Sequence, residues 1–143
     1  MEKIFNQLSD SLFSKLNNGE NLILSFDGEK SQFIRFNHAT VRQTGLVDDA
    51  DLGLKFIVNN RSVHGGFTVS GNFDTDLVRG QSEIERMRLE AQEIPEDPFV
   101  VFPENAGSSH EIKTADSLPF DTAVDALIPV SYTHLTLPTK RIV

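Results

Sequence analysis

Apolar residues recur along this chain first every three or four positions, then every second, then every three or four again. In residues 2–16, Ile4, Phe5, Leu8, Leu12, Phe13 and Leu16 fall on one stripe, which predicts an amphipathic helix with a single buried face. The stretch NNGE ends it, with Gly19 suited to the left-handed conformation that closes a helix.

The next fifty or so residues alternate with a period of two. NLILSFDG sets Leu22, Leu24 and Phe26 on one face. SQFIRFN sets Ile34 and Phe36 opposite Phe33 and Arg35, and ATVRQTGLV carries Val41, Arg42, Gln43 and Leu46. ADLGLKFIVN is the cleanest strand, with Leu52, Leu54, Phe56 and Val58 to one side and Asp51, Gly53 and Lys55 to the other. SVHGGFTVSG answers it with Val63, Phe67 and Val69. The short stretches DGEK and NNRS are expected to be hairpin connections.

Helical spacing returns from about Asp74 to Glu93, where Leu77, Ile84, Met87 and Ala91 make a sparse stripe. Asn72 or Asp74 can cap this helix, and Asp76 suits the positive end of its dipole. Gly80 costs its middle ~1 kcal/mol relative to alanine. Pro95, Pro98 and Pro103 exclude helix from IPEDPFVVFPE, leaving FVVF as a short extended segment. NAGSSHEIKTADSL reads as loop with room for one strand. PFDTAVDALI opens a third helix through Val124, Leu127 and Ile128, and Pro129 is expected to stop it. The fold expected is therefore α+β, a mostly antiparallel sheet of about four or five strands with helices packed on one face.

The tail breaks the pattern. Val130 to Thr139 reads VSYTHLTLPT, which resembles the translation of a transposase sequencing adapter. Residues 129–143 are accordingly expected to be a non-native tail, and residues 1–128 a domain truncated at its C-terminal side. Tyr132 and His134 then carry no weight as evidence of function.

Composition narrows the partners. The net charge is −8, and the tail contributes Lys140 and Arg141 with no acid, so leaving those two out gives −10. Such a surface repels phosphate backbones and argues against nucleic acid. No run of about 18 apolar residues offers a membrane span. There is no cysteine, which excludes disulfides, thiolate metal sites and a cysteine nucleophile. The first segment lacks an apolar signal region, and a cytoplasmic location is expected.

The stretch FIRFNHATVRQTGLVDDADLGLKFIVNNRSVHGGFTVSGNFDTD resembles the amino-terminal domain of the TldD/PmbA metallopeptidase family, also called modulator of DNA gyrase proteins. The matching residues are Arg35, Phe36, Asn37, Ala39, Val41, Arg42, Gln43, Gly45 and the run Leu52 to Val58. The helix from Asp74 and PEDPFVVFPE fit the same pattern, so the resemblance covers most of residues 1–128. It implies the scaffold and substrate-cleft part of a hydrolase subunit, acting in proteolysis with a partner subunit of the same family and a peptide substrate. Catalytic members carry an HExxxH helix with zinc in a later part of a longer chain. That motif is absent from this sequence, so the resemblance implies the non-catalytic partner type, without a cofactor and inactive by itself. The reading of a different class is a small acidic protein- or peptide-binding module unconnected with proteolysis.

Individual residues add little chemistry, and none is assigned a catalytic, cofactor-binding or metal role. His110 and Glu111 begin a zincin motif, but its second histidine would fall at Thr114 or Ala115. His38 and His64 with Asp48 are the remaining metal or acid–base grouping, against the plainer reading of solvated strand-face histidines. Gly65, Gly66 and Gly71 form no phosphate loop and suit a bulge or close strand–helix packing. Ser108 and Ser109 lack a nucleophile elbow. Arg35 and Arg42 suit a peptide carboxylate or partner subunit, with pairing to acids across the strands as the plainer reading.

Overall fold

A computed structural model describes residues 2–38, 40–102, 107–114, 116, 118–119 and 121–135, with only the backbone described for residues 131–135. The element order is α1 (Glu2–Phe13), β1 (Asn21–Asn37), β2 (Thr40–Val58), β3 (Arg61–Thr68), α2 (Phe73–Glu93) and α3 (Ala123–Leu135). The sheet has the order β1-β2-β3, so β1 and β3 are its outer strands. The mixed α+β class is as expected, with three strands in place of four or five.

The lower count has a physical origin. NLILSFDG and SQFIRFN are one strand of 17 residues, and DGEK runs through its middle instead of turning. ATVRQTGLV and ADLGLKFIVN likewise merge into one strand of 19 residues. Turn-prone residues specify a turn only when no neighbouring strand offers continued pairing. NNRS does turn. Asn59 and Asn60 take φ of +48° and +56°, the left-handed pair that a tight hairpin requires. β2 and β3 then pair antiparallel from Val58↔Arg61 to Asp51↔Thr68.

The chain divides into two compact units, Met1–Glu29 with Asp48–Gly107, and Lys30–Val47 with Ser108–Val143. In the first unit, the side chains of Leu52, Leu54, Phe56 and Val63 share the inner face of the sheet. They meet Leu12, Ile84, Met87 and Ala91 from the helices. Every one of these is at most 3% exposed, so burial at roughly 25 cal/mol per Å² is the main stabilising term of this unit. α1 lies on α2, and α2 on β3. Phe5 and Phe26 add a tilted ring pair 5.2 Å apart between α1 and β1.

Gly80 has a reason that helix propensity does not show. It is buried where α1 meets α2, and a Cβ there would stand 2.8 Å from Leu12 Cδ2. In the second unit, α3 runs on through Pro129 to Leu135, which corrects the expected stop at that proline. A proline removes one N–H and one helical bond; the helix continues because the residues beyond it keep helical backbone. Ala123 is buried, Val124 and Leu127 are half-buried, and Ile128 is 40% exposed. The expected strand in NAGSSHEIKTADSL does not form among the described residues. Readings that fell on Ala39, Pro103, Ala115 and residues 136–143 lie outside the described residues.

Candidate functional site

The strongest polar grouping is built by the turn after α1. The backbone N–H of Asn17 donates to Glu20 at 2.7 Å and its side-chain amide does so at 3.1 Å. Gly19, at φ +84°, permits the turn that brings these groups together. From α2, Arg88 donates to both Glu20 oxygens, Nε to one at 2.7 Å and Nη2 to the other at 2.7 Å. Nη2 also reaches the Lys15 carbonyl at the end of α1, and Nη1 reaches Glu85. The pair is largely buried, with side chains 16% and 8% exposed for Arg88 and Glu20. The hydrogen bonds from Arg88 hold the Glu20 carboxyl down at about 2, against burial that pushes it up, with help from Asn17.

A cleft of about 480 Å³ opens beside this pair, lined by Asn17, Glu20, Asn59, Arg61, Arg88 and Gln92 among others. Its cations are committed. Arg61 donates to the Ile94 carbonyl and pairs with Glu96 at 3.1 Å. A carboxylate or phosphate entering here would have to displace an internal acid, so the cleft is a joint more than an anion site.

A second cleft, of about 390 Å³, lies in the same unit. Ile4, Phe26 and Val69 give it apolar walls, and Asp48, Asp49, Ser70 and Gly71 complete the lining. Ser70 and Gly71 are held in its wall by Asp76, which is fully buried in the first turn of α2 and reaches back over the loop. Its carboxylate accepts from Ser70 N–H at 2.9 Å, Ser70 Oγ at 2.8 Å and Gly71 N–H at 3.1 Å. Asn72 is the N-cap, its side chain accepting from Thr75 N–H at 3.0 Å, so the cap is Asn72 and not Asp74. The Ser70 hydroxyl donates to Asp76 and accepts from Asn72 N–H at 3.2 Å. Apolar walls beside Asp49 suit an apolar side chain next to a positive charge, as a peptide supplies; Asp48 already has a partner of its own.

The residues singled out from sequence are divided between the two units. His38 is an exposed turn residue at φ +48° in the second unit, while His64 and Asp48 belong to the first. His64 is exposed and opposite Lys55. His110, Ser108 and Ser109 are exposed, and Glu111 pairs with Lys113 at 3.4 Å. Among the described residues no group of three His, Cys, Asp or Glu side chains could hold a metal ion. Arg35 is exposed. It donates to Gln43 Oε1 at 3.3 Å and lies over the Phe33 ring at 5.4 Å. Arg42 is exposed. Gly65 confirms close strand–helix packing, since a Cβ there would meet Glu83 and Arg86 of α2. The helix after Asn72 gave a signal for Asp76, yet only as a dipole partner; its carboxylate clasp on the preceding loop was not legible. Glu20 and Arg88, 68 positions apart, gave no signal at all.

No model of a known protein family, no curated protein and no solved structure matches the chain.

Proposed function

We propose that this chain is the scaffold portion of a TldD/PmbA-type peptidase subunit, of the partner-like kind without a catalytic metal. In that role its sheet holds an extended peptide, or a strand of a partner subunit, by main-chain pairing at an outer strand. The resemblance of residues 33–76 to the family supports this reading. One observation of the fold supports the role: the sheet is covered on one face by α2 and ends in two outer strands, of which β1 is the long one.

The test is co-expression with a family subunit that carries HExxxH. Co-elution in size-exclusion chromatography with light scattering, and faster cleavage of unstructured peptides by the catalytic subunit, are expected. Separate elution with unchanged cleavage would count against the proposal. The cleft with Asp48 and Asp49 favours a second reading, a peptide-binding module with no link to proteolysis. That reading expects basic peptides to bind this chain by itself and the family subunit to change nothing.

A further inference from the structure

The outer edge of β3 is closed from the neighbouring helix. Val69 N–H donates to the Ala50 carbonyl at 2.7 Å, and the antiparallel register carries that orientation down the strand. Val63, Gly65 and Phe67 therefore aim their backbone polar groups at β2, and Ser62, His64, Gly66 and Thr68 aim theirs outward. Two of these outward carbonyls are met by α2. Arg79 Nη1 donates to the Thr68 carbonyl at 3.2 Å, and Arg86 Nη2 to the His64 carbonyl at 3.3 Å. The spacings agree: four strand residues span ~13 Å, and seven helical residues ~10.5 Å, a difference that long arginine stems absorb. Gly65 makes room, because a Cβ there would stand 2.6 Å from Glu83 Oε2 and 2.8 Å from Arg86 Nη2.

The strand being covered is adhesive by composition. β3 opens with Arg61, whose side chain is turned to the Ile94 carbonyl and Glu96; beyond it, Ser62–Ser70 reads SVHGGFTVS, with no Asp, Glu, Lys or Arg. An uncharged outer strand with β-forming residues is a template for pairing with another chain, and proteins blunt such edges with charge. Here, beyond Arg61 at the start of the strand, the charges come from α2. We propose that Arg79 and Arg86 guard β3, occupying two of its four outward carbonyls so that it does not pair with β3 of a second copy of this chain. A second copy is the occupant because two such strands meet antiparallel about a two-fold axis, each offering the other the same uncharged face. The guard concerns the edge opposite β1 and stands independently of the peptidase reading.

The test compares the chain as it is with an Arg79→Gln/Arg86→Gln double variant by sedimentation velocity over a concentration series. Amide hydrogen exchange of Ser62, His64, Gly66 and Thr68 is followed alongside. The double variant is expected to self-associate about tenfold more tightly or better, with those four amides gaining protection as it does. Gly65→Ala leaves both arginines in the chain but pushes Arg86 off its carbonyl, so it should move the same way by a smaller factor. It also serves if the double variant does not fold. Unchanged sedimentation in folded variants, or association without protection of the β3 amides, would overturn the proposal.

Discussion

Arg88 and Glu20 hold the end of α1 to α2 through two parallel hydrogen bonds of 2.7 Å across 68 positions of sequence. The guanidinium fork matches the carboxylate, and Asn17 supplies the remaining donors, so both desolvated charges are satisfied.

Breaking that pair strands a charge. Arg88→Met is expected to lower unfolding free energy by roughly 3 kcal/mol, measured by urea denaturation. Arg88→Lys keeps the charge but loses the fork, and should fall between the two.

The same pair sets a pH dependence. Glu20 is depressed from 4.5 to about 2 in the fold, so its contribution is fully present above about 4.5. It is lost as pH falls through about 2, a loss of roughly 2–3 kcal/mol. Denaturant midpoints taken between pH 6 and pH 2 should decline in the native chain and decline less in Arg88→Met.

Asp76→Ala removes the acceptor for two backbone N–H groups and one hydroxyl around Ser70 and Gly71. A cost of roughly 2 kcal/mol is expected from the loss of hydrogen bonds to a charged acceptor, since Ser70 and Gly71 are themselves exposed and water can reach their donors. Asp76→Asn keeps one acceptor oxygen and should cost less. Thermal melts rank the two.

Gly80→Ala would stabilise an isolated helix by about 1 kcal/mol. In this fold the sign reverses, because the new methyl group would stand 2.8 Å and 3.0 Å from the Leu12 methyls, and Leu12 is fully buried. A lowered melting temperature is expected. Adding Leu12→Val should recover part of the loss, as double-mutant coupling would report.

Much of the fold was legible along the chain. The stripe of α2, that of α1 apart from the exposed Phe13 at which the helix already ends, the left-handed Gly19, the Asn59–Asn60 hairpin and the inward face of β2 follow from local rules, since each depends on residues within a few positions of one another. DGEK misled because its glycine and acids favour a turn in isolation, while here it lies within one strand that neighbours β2. Pro129 misled in the same way, a local stop signal that the surrounding helix did not obey. The candidate site was less legible still: Asp76 was marked as a first-turn acid, but its hold on Ser70 and Gly71 depends on a loop folding back.

The sequence by itself determined the class of elements and which faces are apolar, because hydrophobic period and turn chemistry act over short distances. Tertiary structure alone decided which polar groups serve the fold. It took Arg88 for Glu20, gave Arg79 and Arg86 to the edge of β3, and turned Gly80 from a weak helical residue into the contact point for Leu12. Those choices depend on side chains reaching across space to desolvated partners, and no local pattern along the chain encodes that distance.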